Sequence, residues 1–243
     1  MSRRLSYSDH VVRLVLLGTG TPVPDPARCG SGVALVGNGR WMLVDCGRGV
    51  AQRVIQARLD MTLLDVVVLT HHHSDHVSDL ASLAIARWVA GASTPLTVVA
   101  PQGPCSRFAH GCLDGFEDQA FYSQADNGSP ARPSVAFTEF EPTSSPTVVF
   151  DEGNWSVSAV LVDPHPIEAA VGYRIEVGGR TVVVSGATAV CAGVELLPDR
   201  TLVYGEAALA EVHARGVQPI SSQVRSSSLE DVFLFLTGRT LVN

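Results

Sequence analysis

The chain has 243 residues, of which 46% are hydrophobic and 17% charged, so a disordered chain is excluded and one large α/β domain, or two smaller ones, is expected. No apolar run reaches the roughly 18–20 residues that cross a bilayer. The formal net charge is −7, and the sequence contains arginine but no lysine. The arginines are scattered along the chain, so the sequence lacks the basic tract typical of nucleic-acid-binding domains.

The first ten residues and the cysteines indicate the compartment. The segment 1–10 is polar and is not followed by the apolar stretch of a signal peptide. The five cysteines are odd in number and form no Cys-x-x-Cys pair, which favours reduced thiols over a disulfide framework. We therefore expect a cytoplasmic protein.

Short strands and two helices are predicted in the first half of the chain. Strands are expected over residues 12–17, 32–36, 41–44, 64–70 and 96–100. A hairpin turn is expected at Gly37-Asn38-Gly39. Helices are expected over residues 49–59 and from 77 to about 90, where apolar residues recur at helical spacing.

The second half repeats the strand pattern after a polar stretch at 114–134 that is predicted to be a loop. Strands are expected over residues 135–140, 147–150, 155–162, 169–177 and 181–185. Gly178-Gly179 is predicted to form another tight hairpin turn. Periodicity alone therefore supports an α/β fold with two sheets.

Residues 70–80 carry the most informative pattern, Thr-His-His-His-Ser-Asp-His-Val-Ser-Asp-Leu. It contains His-x-His-x-Asp-His, filled by His71, His73, Asp75 and His76, between a predicted strand and a predicted helix. Imidazoles and carboxylates are ligands of zinc, iron and manganese. Because side chains two apart in an extended segment point the same way, His71 and His73 are predicted to share one metal ion. The alternative is a polar, histidine-rich loop.

Two further acidic residues near this pattern have competing interpretations. Asp45 is either a carboxylate that receives an N–H from a ligand histidine or a cap at a strand end, and we favour the first. Asp79 is interpreted as a first-turn residue favoured by the helix dipole. Both interpretations depend on contacts that only a structure shows.

The histidine pattern resembles the signature of the metallo-β-lactamase superfamily, and four other segments resemble its ribonuclease Z branch. They are Leu-Gly-Thr-Gly-Thr-Pro at 17–22, Val-Asp-Cys-Gly-Arg-Gly at 44–49, Val-Gly-Tyr-Arg at 171–174 and Ser-Gly-Ala-Thr at 185–188. The resemblance covers about residues 11–210. It implies a four-layer αββα sandwich, His165 as a further metal ligand, and a zinc centre of one or two ions, with manganese or iron as alternatives.

Later motifs depart from the family pattern. Ala187 stands where the family carries an aspartate that bridges two metals, and Gly205 stands where it carries a histidine. The resemblance gives a complete set of ligands for the first metal site, namely His71, His73 and His165. The second metal site keeps Asp75 and His76. The resemblance therefore implies a weakened second metal site and reduced activity.

The end of the chain is also atypical. We divide the chain into a hydrolase domain at 1–210 and a tail at 211–243. The tail contains a predicted short amphipathic helix that ends at Gly238, and this stretch resembles the C-terminal end of ABC-transporter ATPase subunits. Our hypothesis is that the family's C-terminal part is truncated or replaced.

The function predicted on this basis is metal-dependent hydrolysis of a phosphodiester, either at an RNA 3′ end or in a smaller molecule. The attacking group is a metal-activated water that Asp75 orients. Positions 165 and 187 are only 22 apart, so no long tRNA-binding arm fits between them, which with the net charge disfavours tRNA. Two alternatives stay open: an ester, sulfate-ester or lactone hydrolase of the same fold, and a degenerate, non-catalytic metal-binding protein. Family members are often dimers, so a homodimer is a further expectation.

Overall fold

The computed structural model describes residues 12–116, 132–162 and 169–187. These residues form two β-sheets and a layer of helices. The predictions for His165, for Gly205 and for the tail lie outside the described residues, as does most of the predicted loop at 114–134. The division into 1–210 and 211–243 therefore stays a prediction.

A six-stranded sheet forms the first half of the fold, in the order β1-β2-β3-β4-β5-β6. Its strands are β1 (Arg13–Gly18), β2 (Gly32–Gly37), β3 (Arg40–Val44), β4 (Leu64–Val68), β5 (Leu96–Pro101) and β6 (Val135–Phe140). The first three pair antiparallel, and the next three pair parallel with Val44 beside Val68 and Val68 beside Val99. The carboxyl ends of β3, β4 and β5 therefore meet at one edge.

A four-stranded antiparallel sheet forms the second half, in the order β10-β9-β8-β7. Its strands are β7 (Thr147–Glu152), β8 (Trp155–Leu161), β9 (Val171–Val177) and β10 (Arg180–Val184). The amide of Val171 donates to the carbonyl oxygen of Thr70 at 3.0 Å. This bond joins the start of β9 to the carboxyl edge of the first sheet.

Strand alternation explains how the layers pack. Val66 and Val68 of β4 face the second sheet, where they join Trp155, Tyr173 and other buried residues in one core. The residue between them, Val67, faces the helices and joins a second core. Because successive strand side chains point to opposite faces, one apolar strand serves both cores, and this accounts for its continuous hydrophobic sequence.

The helices cover the outer face of the first sheet. They are α1 (Val50–Gln56), α2 (Ser74–Val77), α3 (Leu80–Val89) and α4 (Pro104–Gly111). Buried residues from α1, α3 and α4 pack into the same core as Val67. Sheet, sheet and helix layers of this kind fit the predicted metallo-β-lactamase-type sandwich. No helix in the described ranges is long and apolar enough to span a membrane.

The predicted hairpin turns are confirmed, one helix prediction needs correction, and one helix was missed. Asn38 and Gly39 have φ values of 53° and 78°, and Gly178 and Gly179 have 54° and 71°, as tight hairpins require. The helix predicted from 77 to about 90 is α3, which begins three residues later, at Leu80. A separate short helix, α2, lies before it and includes Asp75 and His76 of the histidine pattern. Helix α4 was not predicted.

Candidate metal centre

The histidine pattern lies on the turn that follows β4, at the carboxyl edge of the first sheet. His73 is extended at the start of α2, and Asp75 and His76 belong to that helix. The backbone is fixed from outside the turn, because the amide of Ser31 donates to the carbonyl of Asp75 at 2.7 Å and the amide of Cys46 donates to the carbonyl of His76 at 2.6 Å. The segments just before β2 and just after β3 thus hold the turn in place.

A glycine permits this close backbone contact. A Cβ added at Gly47 would lie 1.7 Å from the carbonyl oxygen of Asp75, far inside van der Waals contact. The segment after β3 can therefore approach Asp75 only with glycine at this position. This packing gives a physical reason for the Asp-Cys-Gly sequence that the resemblance singled out.

The four side chains of the pattern are brought together. The ring centroids of His71 and His73 are 4.8 Å apart, and those of His71 and His76 are 4.0 Å apart. Nε2 of His76 lies 3.5 Å from a carboxylate oxygen of Asp75. His71, Asp75 and His76 are fully buried, whereas His73 is partly exposed.

Asp45 is the buried carboxylate that holds this cluster. One of its oxygens accepts from Nδ1 of His76 at 2.7 Å and from the hydroxyl of Ser31 at 3.2 Å. The other accepts from the backbone amide of Thr70 at 2.8 Å, and the hydroxyl of Thr70 lies 3.0 Å from both oxygens. Asp45 makes no cap for α1, whose N-cap is Gly49. These contacts favour the histidine-orienting interpretation.

The same contacts fix the tautomers of two histidines. An ionised carboxylate accepts hydrogen bonds only, so Nδ1 of His76 carries the proton that it shares with Asp45. The single hydroxyl proton of Thr70 also points to Asp45, and the Thr70 oxygen, 3.0 Å from Nδ1 of His71, then accepts from that nitrogen. Both rings are left with an unprotonated Nε2, the form that coordinates a metal.

Charge and burial act in opposite directions on Asp45. Burial by itself raises the pKa of this carboxyl, but the charge and hydrogen bond of His76, with smaller contributions from His71 and Thr70, outweigh burial and lower the pKa below its ordinary value. Asp45 therefore stays ionised at neutral pH and remains an acceptor for all of its donors.

Asp45→Asn is expected to weaken both the fold and metal binding. Asparagine suits the backbone of Asp45, whose φ is 59°, but its NH2 group would replace one of two accepting oxygens and face a donor, so buried bonds are lost. We expect the free energy of unfolding to fall by about 2–3 kcal/mol and zinc affinity to fall about 10–100-fold. Urea unfolding and competitive zinc titration measure the two effects.

The exposed Asp25 provides a matched control, because its carboxylate accepts one local bond from the amide of Ala27. Asp25→Asn is expected to change stability by less than about 0.5 kcal/mol. If Asp45→Asn loses stability but keeps its zinc affinity, Asp45 has a purely structural role and does not orient a metal ligand.

His71 makes the stability of the protein dependent on pH. Burial chiefly, with the positive charge of a protonated His76, lowers the pKa of His71 from 6.5 to about 3. Below pH 6.5 the His71 side chain is therefore protonated in the unfolded chain but not in the folded chain. The contribution of neutral His71 to the free energy of unfolding is fully present above pH 6.5 and is lost as pH falls toward 3. With a chelator present, we expect a loss of about 2 kcal/mol between about pH 7.5 and about pH 5.

Urea unfolding at the two pH values measures this loss, with His71→Gln as the comparison variant. Glutamine does not titrate, so its stability should change less over the same interval. An equal pH dependence in the two proteins would assign the effect to other groups.

Unsatisfied buried atoms indicate that the cluster fits a metal ion. Nε2 of His71 and both carboxylate oxygens of Asp75 are buried without a hydrogen-bond partner among the described residues. Such atoms cost roughly 1–3 kcal/mol each, and they are acceptors that a cation would satisfy. Within the described ranges no group of three or more His, Cys, Asp or Glu is already disposed to hold an ion. The described donors are thus a partial ligand set, and His165 is the predicted addition.

Tyr173 supports the cluster in a way that sequence reasoning did not foresee. Its hydroxyl donates to the carbonyl oxygen of Leu69 at 2.6 Å, at the end of β4. Burial raises the pKa of Tyr173 well above its ordinary value, so the hydroxyl keeps its proton. The Val-Gly-Tyr-Arg motif therefore positions the backbone before Thr70.

Cys46 and Asp79 complete the surroundings of the turn. Burial, with the nearby charges of Asp79 and Asp45, raises the pKa of the Cys46 thiol well above its ordinary value, so Cys46 is a neutral packed side chain. Asp79 begins α3 but does not cap it. Its carboxylate accepts from the amide of Ala51 in α1 at 2.8 Å, so it joins two helices and is not simply a first-turn acid.

Ala187 follows a glycine that packs against Thr70, the residue before the histidine pattern. The residue before it, Gly186, has a φ of 65°, and a Cβ there would come within 2.9 Å of the side chain of Thr70. Ala187 is itself buried. The segment after β10 therefore reaches the carboxyl edge of the first sheet, and the residue that follows the contact carries only a methyl group.

Sequence comparisons identify relatives over most of the chain. A family model described as a β-lactamase superfamily domain matches residues 40–219. Ribonuclease Z of Mycolicibacterium paratuberculosis is 33% identical over 226 residues, covering 91% of this chain and 76% of the relative. Ribonuclease Z of Mycobacterium marinum is 32% identical over 191 residues, covering 77% of this chain and 67% of the relative.

Solved structures show the same fold. Human tRNase Z, short form, superimposes with a TM-score of 0.56 at 21% identity, over 78% of this chain and 71% of that one. The metallo-β-lactamase fold protein YhfI from Bacillus subtilis gives 0.54 at 21% identity, over 75% of this chain and 65% of that one. At this identity the likeness concerns the fold alone.

Proposed function

Because the chain belongs to the β-lactamase superfamily, in its ribonuclease Z-like branch, we propose that it is a metal-dependent hydrolase that cleaves phosphodiesters. The proposed metal ligands are His71, His73, Asp75, His76 and His165, and the proposed ion is zinc. Asp75 is the proposed catalytic residue. We propose one strongly held ion and a second, weaker position.

One observation carries this proposal. The fully buried Nε2 of His71 and carboxylate of Asp75 lack hydrogen-bond partners among the described residues, yet they lie in one cluster with the rings of His73 and His76. A cluster that was only structural would satisfy these atoms within the protein. Arrangement for an external cation accounts for all of them together.

The residues of the chain have separable tasks in the proposed reaction. A divalent metal, when bound, supplies Lewis acidity and lowers the pKa of water. Asp45 keeps Nδ1 of His76 protonated, directly, and Nδ1 of His71 protonated through Thr70, so each ring offers its Nε2. The free oxygens of Asp75 can accept a hydrogen bond from the attacking water and orient it toward phosphorus.

RNA is the proposed source of the phosphodiester. Ribonuclease Z of M. paratuberculosis is 33% identical to this chain, which spans about three quarters of its length. The spacing of 22 between positions 165 and 187 leaves no room for a long arm. We therefore favour a short or single-stranded RNA over a folded tRNA.

The test combines metal content with hydrolysis. Plasma mass spectrometry on untagged protein should find about one zinc per chain, consistent with a four-coordinate site of histidines and carboxylate. The protein should hydrolyse bis(p-nitrophenyl) phosphate and a short RNA in a chelator-sensitive manner, and p-nitrophenyl acetate serves as the uncharged comparison substrate.

Other outcomes would redirect the assignment. Hydrolysis of the acetate alone would favour an ester hydrolase of the same fold. Bound metal without hydrolysis of any of the three would favour a non-catalytic metal-binding protein, in line with the methyl group at Ala187. Absence of both metal and turnover after reconstitution with zinc would overturn the proposal.

A further inference from the structure

Helix α4 lies beside the histidine turn because of the strand order. It begins at Pro104, directly after β5 ends at Pro101. Strand β5 runs parallel to β4, and the amide of Leu69 donates to the carbonyl oxygen of Val99 at 2.9 Å. The carboxyl ends of neighbouring parallel strands meet at one edge, so the segments that follow them, the histidine turn and α4, are neighbours.

Arg107 is the cation that α4 contributes to this edge. Its side chain is exposed, and no hydrogen bond or ion pair joins it to another residue of the described ranges. Other arginines are committed elsewhere: Arg40 pairs with Asp65, Arg174 pairs with Glu176, and Arg87 is buried against Thr94. No described residue therefore neutralises the charge of Arg107.

His72 joins Arg107 to the metal cluster. The ring centroids of His72 and His73 are 5.4 Å apart. Arg107 is one of the charged groups that interact electrostatically with the His72 ring. Arg107 therefore lies near His72, which is itself in contact with His73.

We propose that Arg107 is a specificity residue that binds the phosphate next to the scissile phosphodiester in a single-stranded RNA. This inference rests on the proposed function, because it takes the cleaved phosphate to lie at the cluster of His71, His73 and Asp75. A guanidinium near His72 then meets the neighbouring phosphate. Arginine is suited to this task, since its planar donors match phosphate oxygens.

Because the chain as a whole is negatively charged, a cation beside the site has a large effect on which substrates bind. A chain with a formal charge of −7 repels a polyanion over much of its surface, so a local cation beside the site contributes strongly to substrate choice. A small diester with one phosphate does not extend to Arg107. The proposal therefore predicts a difference between small and polynucleotide substrates.

Arg107→Gln tests the proposal, with Arg180→Gln as the matched control. Arg180 is also exposed and lies at the start of β10, at the end of that strand remote from Gly186 and Ala187. For a short single-stranded RNA, we expect Arg107→Gln to raise KM about ten-fold with little change in kcat. Neither variant should change the KM for bis(p-nitrophenyl) phosphate, and Arg107→Lys should recover part of the RNA effect.

RNA binding provides a readout that does not depend on turnover. Fluorescence anisotropy with a labelled single-stranded RNA should show that log Kd varies less steeply with log salt in Arg107→Gln, by about 0.7, the contribution of one phosphate contact in a single strand. Arg180→Gln should keep the slope of the unsubstituted protein. Circular dichroism should give the same Tm for Arg107→Gln as for the unsubstituted protein, because the Arg107 side chain is exposed.

The outcomes separate this inference from the proposed function. If the unsubstituted protein hydrolyses neither substrate, the proposed function is overturned. The salt dependence of RNA binding would still test whether Arg107 contacts a phosphate. An unchanged RNA KM and salt slope in Arg107→Gln would overturn the inference alone. An equal loss on RNA and on the small diester would also overturn it, because it would show a general effect on the site.

Discussion

Replacing His71 with alanine is expected to remove bound zinc and to lower phosphodiester hydrolysis by more than about 100-fold. Removing a hydrogen-bond partner of a metal ligand costs about 10–100-fold, and removing a ligand itself should cost more. His71 is fully buried, and its Nε2 is an acceptor without a partner among the described residues. The measurements are zinc per chain by mass spectrometry and initial rates on bis(p-nitrophenyl) phosphate.

The apo form of this variant distinguishes a ligand from a core residue. Loss of a buried ring creates a cavity that costs stability, but it also removes the unsatisfied Nε2, so the two effects oppose each other. His71→Gln retains most of the volume and should also lose zinc. His110→Ala is the control, since this exposed histidine packs on Phe137 away from the cluster and should keep full metal content. Normal zinc content in His71→Ala would remove His71 from the ligand set.

Local sequence signals predicted those parts of the fold that depend on neighbours in the chain. Asn38-Gly39 and Gly178-Gly179 can adopt positive φ, so the hairpins at these positions were predictable. The β-branched run before Thr70 could only be a strand buried on both faces, and it packs into both cores. The histidine pattern placed donors at its end for the same local reason.

Features that depend on distant contacts were not predictable. Helix α3 begins later than predicted because the amide of Asp79 donates to the carbonyl oxygen of Cys46 and its carboxylate accepts from Ala51, and no local signal encodes those bonds. Helix α4 was missed because its buried face is small, consisting of Cys105, Ser106 and Ala109. The role of Thr70 between Asp45 and His71 likewise becomes visible only when three segments meet.

Ala187→Asp is expected to raise zinc content by about one ion per chain and to increase phosphodiester hydrolysis. The backbone at Gly186 packs against Thr70, so a carboxylate at the next position would be close to the edge that carries His71 and Asp75. Two ions held about 3.5–4 Å apart stabilise both the attacking and the leaving oxygen of a phosphodiester. An added carboxylate therefore supplies the donor that the proposed second position lacks.

The same substitution should destabilise the protein when metal is removed, and this coupling is the sharper test. A buried carboxylate near Asp75 costs several kcal/mol without a cation, so Tm should fall in a chelator and recover with zinc by more than in the unsubstituted protein. The side chain in Ala187→Asn has nearly the same shape as that in Ala187→Asp but carries no charge. This variant should show neither the added ion nor the larger rise in Tm with zinc. If Ala187→Asp and Ala187→Asn behave alike, the carboxylate does not reach a metal, and the weak second position cannot be attributed to Ala187.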